Sequence, residues 1–413
     1  MRKLHILANI AIGAVLVLSM TLISGARATA APSRATTTIS FVSWSSTPVE
    51  LAAVKQLITN FESKYKSIKI SYTDVANNYQ TVMKARMVAG TAPDVFWMNS
   101  DYNQDFIRTN QLRNLDFLKS DKTYGLNQFY KSLLSGYEYK GHIYGIPKDY
   151  STLAIFYNKS MFKAAGISKP PTTWSQFQTD AAKLTDKSKK VYGAVISADN
   201  ARWLPFVFAA GGSYLNKSLT KVTINSAAAK QALDWYAGLV QKGYAALPST
   251  VGAGWNGEAF GRENAAMVFE GNWLTGVMQS TYPSVSYGTA PLPTGPKGAG
   301  NYAFSSAWVI SAKTKHLKES TQFLKYVTGK AGMAVWSKLS GYIGSRKDVK
   351  PLPGTKVFVD QVKHSQTYFF PPGFTNALSA INTDIQKVME GKETSAQAIS
   401  DMATQANVAL NAP

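Results

Sequence analysis

The chain has 413 residues, with 44 Lys and Arg against 24 Asp and Glu, a formal charge of +20, and no cysteine. A composition 45% hydrophobic and 16% charged is that of a chain that buries a core. Without cysteine, a disulfide framework, thiolate chemistry and a lipid anchor on a cysteine are all excluded, so apolar burial has to hold the fold.

Arg2 and Lys3 precede an apolar run over residues 10–23, and Ala26-Arg27-Ala28 supplies a small-x-small cleavage site. This predicts a secretory signal peptide over residues 1–28, too short and poorly flanked for a membrane span. Its removal leaves about 385 residues, room for two domains, and loss of Arg2, Lys3 and Arg27 takes the charge from +20 to +17. Residues 29–36, rich in Ala, Thr, Ser and Pro, read as a disordered leader.

Residues 37–44 then alternate polar and apolar, with Ile39 and Phe41 on one face, as in a strand. Thr47-Pro48-Val49-Glu50 is a capping box with proline at the first helical position, followed at helical spacing by Leu51, Val54, Leu57, Ile58 and Phe61. Ile68, Ile70 and Tyr72 alternate again; a helix over 79–88 stops at Gly90, and residues 93–98 form a third strand. Strand, helix, strand, helix, strand predicts a parallel sheet wrapped by helices. In such sheets ligands sit beyond the carboxyl ends of the strands, which here carry Trp44 and Asp101.

The segment 145–177 is the most informative. Residues 147–152 read as a turn, 153–157 as an apolar strand, and Asn158-Lys159-Ser160 opens a short helix that stops at Gly166. Pro170 and Pro171 bar its continuation, and Thr173 caps a new helix with Gln176 at the third position beyond it. This order resembles the first crossing between lobes in the family 1 extracellular solute-binding proteins of ABC importers, the maltose-binding-protein-like group. Downstream, Val191 to Ser197 is strand-like, residues 227–240 form a helix, and Ala265-Ala266-Met267 leads to Gly271-Asn272-Trp273, similar to the family's strand followed by a G-x-W turn. Pro291-Leu292-Pro293 marks a second crossing, residues 317–328 form a helix, and Gly344 stands where relatives often have proline in G-x-x-P-S-R.

The resemblance spans nearly all of the mature chain. It implies a two-lobed periplasmic-binding-protein-like fold of type II, α/β, each lobe a mostly parallel sheet flanked by helices with a ligand cleft between. Lobe 1 is expected to comprise residues 37–150 and 303–345, and lobe 2 residues 151–302 and 346–413. It also implies an exported, periplasmic or cell-surface receptor. That receptor captures a di- or oligosaccharide by lobe closure and hands it, as a monomer, to the transmembrane subunits of an ABC permease. Neither cofactor nor metal is expected.

A sugar presents hydroxyls and patches of C–H, so its site needs flat apolar walls with carboxylates, amides and indole N–H groups. Trp44, Asp101, Asp149, Ser151, Trp203, Trp255, Asn272, Trp273 and Phe370 offer these groups. The resemblance implies that Trp273 stacks on a sugar ring; a core indole is the alternative. Asp101 is either an acceptor for two hydroxyls or a cap for the helix after it. Asp149 either binds ligand or holds the crossing turn.

Other functions have less to stand on. The lysines are scattered, densest at Lys183, Lys187, Lys189 and Lys190, so the basic balance suits attraction to wall polymers or lipid headgroups, without a nucleic-acid recognition element. Only His142, His316 and His364 lie beyond the signal segment, none in a metalloprotease or serine-nucleophile pattern. Residues 252–257 match a dinucleotide fingerprint but follow Pro248-Ser249-Thr250 instead of a buried strand, and Trp255 would obstruct a pyrophosphate. A secreted carbohydrate-active enzyme, needing only two carboxylates, remains an alternative. So does a receptor for an anionic ligand such as a sugar phosphate, with Arg202 as anchor.

Overall fold

The alternating and helical patterns of residues 37–99 fold as the parallel unit they predict. The computed structural model describes residues 36–45 and 47–411; the expected signal peptide and residues 29–35 of the leader lie outside the described residues. Thr37–Ser43 pairs in parallel with Ile68–Asp74 on one side and with Val95–Asn99 on the other. The helix Pro48–Lys64 covers them, its start capped by Thr47 Oγ1, which accepts from the Glu50 amide at 3.1 Å. Its buried stripe is Ala53, Val54, Leu57 and Phe61, the i, i+3, i+4 spacing of a core-facing helix.

Among the described residues these strands belong to a seven-stranded sheet. Its order is Ile343–Gly344, Ile146–Ser151, Asn301–Ile310, Val95–Asn99, Thr37–Ser43, Ile68–Asp74, with Ser365–Thr367 added alongside Asn301–Ile310. Asn301–Ile310 runs antiparallel to both Val95–Asn99 and Ile146–Ser151, so a chain segment from late in the sequence completes the sheet begun at the start. One apolar cluster, with Phe41, Phe61, Trp97, Trp308 and Phe323, fills one side; another, with Met83, Phe96, Met98 and Phe106, fills the other.

Residues 147–152 are not a turn. All but Thr152 lie within the strand Ile146–Ser151, and the Pro-Lys-Asp sequence that suggests a turn forms a β-bulge, where the register shifts between Ser306 and Ala307 on the partner strand. A bulge accepts the proline, which has no N–H to give the ladder.

Beyond Thr152 the chain builds a second sheet, of three strands, at the centre of the second lobe. Leu153–Asn158 is flanked by Met267–Gly271 and Tyr287–Ala290, both antiparallel to it. The expectation of a mostly parallel sheet therefore holds for the first three strands of the chain and not for this one, because its neighbours return directly instead of crossing over a helix. Val191 to Ser197 shrinks to the two-residue strand Ala194–Val195, paired in parallel with Ala245–Ala246. Thr173 does cap the helix Trp174–Leu184, while Gln176 Oε1 accepts from Thr172 instead of the cap residue. Against this lobe pack Asn200–Ala209, Ala227–Gln241 and the C-terminal helices Phe374–Met389 and Ser395–Leu410, sharing one core. The two crossings are tied together: Asn301 Oδ1 accepts from the Leu153 amide at 3.0 Å and its Nδ2 donates to the Leu153 carbonyl at 2.8 Å. No described helix is long and apolar enough to cross a membrane.

Candidate ligand cleft

The carboxyl ends of the first strands, the bulged crossing strand and the helix starts of the second lobe surround a cavity of about 550 Å³. Thr37–Ser43 ends at Trp44, and Val95–Asn99 leads into Ser100 and Asp101. The crossing strand contributes Lys148, Asp149, Tyr150 and Ser151, and Asn301–Ile310 contributes Phe304, Ser305 and Ser306. Arg202, Trp255 and Trp273 face them from the second lobe, with Tyr342 and Tyr368 closing the rim.

Six of the nine residues read from the sequence therefore line one cavity: Trp44, Asp101, Asp149, Ser151, Trp255 and Trp273. The other three do not. Trp203 sits in the helix Asn200–Ala209 with none of its surface exposed, packed in the second-lobe core, so it has no face for a ligand. Phe370 is buried in the same core, 5.9 Å from the ring of Tyr214. Asn272 is a structural tie: its amide donates to Ser151 Oγ at 2.8 Å and its Nδ2 to the Gly341 carbonyl at 2.9 Å, joining three segments behind the wall.

Trp273 is not in a free turn but opens the helix Trp273–Thr281, and its half-buried indole lies over Gly271. A Cβ at Gly271 would meet that ring at 2.2 Å, so only glycine lets it lie flat there. The indole Nε1 donates to Glu270 Oε2 at 2.8 Å, Phe304 meets the ring edge-on at 5.6 Å, and the Arg202 guanidinium lies 5.7 Å from its centre. Trp255 is placed in the same way: it precedes the helix Asn256–Gly261 and its ring covers Gly257. The glycines of the apparent dinucleotide motif thus include one that makes room for an indole.

Arg202 is ion-paired through both terminal nitrogens, while its Nε is buried with no hydrogen-bond partner among the described residues. Its Nη2 bonds Glu270 Oε2 at 2.7 Å and its Nη1 lies 3.6 Å from Asp199. Burial works against its charge, but the Glu270 and Asp199 carboxylates outweigh that and raise its pKa above the ordinary guanidinium range. Glu270, itself 1% exposed, also accepts from Asn256 Nδ2 at 3.1 Å.

Asp101 is different. It does not cap the helix Asn103–Arg108, whose start has no side-chain cap. Although the residue is half-buried, its Oδ1 is sealed from solvent with no hydrogen-bond partner among the described residues. Burial pushes its carboxyl up to about 6, with Asp105 adding to the rise and Lys84 opposing it. A buried acceptor on a cavity wall is costly until a donor reaches it.

Glu50, Lys148, Phe304, Tyr342 and Tyr368 escaped the sequence reading. Tyr368 stands two positions from the residue chosen in its place, in an aromatic run where composition cannot say which ring turns outward. Its hydroxyl donates to Asn200 Oδ1 at 2.8 Å, which fixes it at the rim.

This architecture and cleft are those of a two-lobed binding protein. The model of the bacterial extracellular solute-binding proteins matches residues 44–334, and the chain belongs to that family of binding proteins, which are not enzymes. It is 28% identical over 322 residues to the multiple sugar-binding protein of Streptococcus mutans, covering 70% of this chain and 71% of that one. Among solved structures, an ABC substrate-binding protein from Listeria monocytogenes in complex with cycloalternan superposes with a TM-score of 0.83 at 21% identity, covering 90% of this chain and 98% of that one. A solute-binding protein from Thermotoga lettingae bound to α-D-tagatose has the same TM-score at 22% identity, covering 91% and 100%.

Proposed function

We propose that this protein is the exported receptor of an ABC importer that captures a di- or oligosaccharide between its lobes and delivers it to the permease. The observation that carries this reading is the pairing of flat, half-buried indoles, Trp273 over Gly271 and Trp255 over Gly257, with the unsatisfied Asp101 carboxylate in one cavity. Indole faces take the C–H patches of a sugar and the carboxylate takes its hydroxyls. The relatives whose names refer to sugars support the same class. Lobe 1 is taken as residues 37–150 with 303–345 and lobe 2 as 151–302 with 346–413. A ligand touching both favours the closed state by its extra contacts.

An anionic ligand fits less well. Both cations of the wall are already charge-paired, Arg202 with Glu270 and Asp199, Lys148 with Asp149, while Glu50 and Asp101 add negative charge. The basic exterior then serves general attraction to anionic surroundings. A thermal-shift screen across mono-, di- and oligosaccharides, with sugar phosphates and polyamines included, tests the reading, since ligand at a hundred times Kd stabilises by about 2.7 kcal/mol. Binding of sugar phosphates alone would overturn it, as would multiple-turnover cleavage of a bound oligosaccharide.

Two predictions arise here. Affinity for a neutral sugar is expected to change little between low and high salt, because exposed charges are screened beyond about 10 Å at 0.1 M; titration calorimetry at two ionic strengths checks this. Affinity is also expected to fall as pH drops through about 6, the value to which burial raises Asp101. The sign follows from linkage: hydroxyl donors bind the ionised carboxylate, so ligand lowers the raised pKa, and protons compete with it below that value. In the free protein the same group acts oppositely, its desolvation cost being present above about 6 and gone below the unfolded value near 3.8. Asp101→Asn should flatten the pH profile of binding; an unchanged profile removes Asp101 from the site.

A further inference from the structure

The bulge in the crossing strand has a consequence for the cleft. Ser306 pairs with Asp149 and Ala307 with Pro147, so Lys148 is the extra residue, without a partner in the ladder. Strict alternation would send Lys148 and Asp149 to opposite faces, whereas a bulge re-aims one of them. Here the two meet, Lys148 Nζ lying 2.5 Å from Asp149 Oδ2. The lysine side chain is only 4% exposed.

Its ammonium lies inside a box of aromatic rings. The ring centres of Trp97 and Trp336 are 4.1 and 4.4 Å away, those of Tyr342 and Trp44 5.1 and 6.0 Å. Trp336 also donates its indole N–H to Asp149 Oδ2 at 3.2 Å, and Glu50 Oε1 stands 3.9 Å from the ammonium. Trp97 and Trp336 belong to the lobe core, but Trp44 and Tyr342 line the cavity. Such a box is the arrangement that recognises a cationic ligand, and the chain fills it with its own lysine.

We propose that Lys148 is a positioning residue for ligand capture: its buried ammonium holds Trp44 and Tyr342 in place as the first-lobe wall of the cleft. The ammonium joins groups from five separate stretches of chain: Trp44 after the first strand, Glu50 in the first helical turn, Trp97 in the strand Val95–Asn99, Trp336 in the helix Lys330–Ser340, and Tyr342 beyond it. The electrostatic part of each contact is available only to a cation, so a neutral side chain of the same shape keeps the dispersion contacts but draws the rings together less strongly. The part of the proposal that concerns sugar rests on the receptor reading above; the box itself does not.

Lys148→Ala removes a propylammonium group, so propylammonium chloride is the probe and propan-1-ol its neutral control. Propylammonium is expected to raise the melting temperature of Lys148→Ala saturably and to restore its tryptophan emission, with no effect of propan-1-ol and none of either compound on the wild type. Lys148→Met, which keeps the aliphatic stem, is expected to make the indoles more open to acrylamide quenching and to weaken maltotriose binding by about ten- to a hundredfold. Equal rescue by propan-1-ol would overturn the proposal in favour of simple packing, as would wild-type quenching in Lys148→Met. If Lys148→Ala does not fold alone, refolding with propylammonium but not with propan-1-ol supports the proposal, and the Lys148→Met quenching still decides it. Failure of maltotriose to bind the wild type counts against that sugar, not against the box, which the ligand-free measurements judge.

Discussion

Replacing Trp273 by alanine is expected to weaken oligosaccharide binding by about a hundredfold, the loss of a central aromatic anchor, while leaving the melting temperature of the free protein nearly unchanged. The indole is half-buried and lines the cavity beside Gly271; inside the protein it meets Phe304 edge-on, lies 5.7 Å from the Arg202 guanidinium, donates one hydrogen bond to Glu270 and touches the edge of the core without belonging to it. Without it, Glu270 keeps Arg202 and Asn256 as partners, so no buried charge is orphaned. Calorimetric titration beside a thermal melt separates the two effects. A strong fall in melting temperature with unchanged affinity would make Trp273 a core residue after all.

Trp203→Ala should give the opposite pattern. This indole is wholly buried in the second-lobe core, and its removal should cost about 3–5 kcal/mol of stability, seen as a lower denaturant midpoint. The folded fraction should bind sugar with an affinity close to that of the wild type, since Trp203 is absent from the cavity wall. Affinity lost beyond the loss of folded protein would mean that the core rearrangement reaches Arg202, its neighbour in the helix.

These two tryptophans carry the same chemistry, and residue type alone offers no means of ranking them. What separates them is local backbone. Trp273 follows Gly271 at the start of a helix, where the ring lies across the glycine; Trp203 lies inside a helix on the side that packs against the core. Glycine two residues from an aromatic is a usable sign, and it also marks Trp255 and Gly257. The sequence points to Phe370 where Tyr368 lines the cavity, because that aromatic run follows a short strand and has no period from which an outward face can be read.

The amino-acid sequence by itself determined what depends on neighbours along the chain. The Thr47 cap and the stripe beneath it, the alternation of the first strands, the stop at Gly166 and the placement of Trp44 and Asp101 beyond strand ends all follow from spacing and backbone preference. The tertiary structure alone decided what depends on distant segments meeting. Only the pairing of Ile146–Ser151 with Asn301–Ile310 turned an apparent Pro-Lys-Asp turn into a bulged strand. Only the approach of Glu270 committed Arg202, 68 positions away, to an internal ion pair. Burial, unlike periodicity, is a property of the assembled fold, and burial separates a ligand wall from a core when both are built from the same aromatic residues.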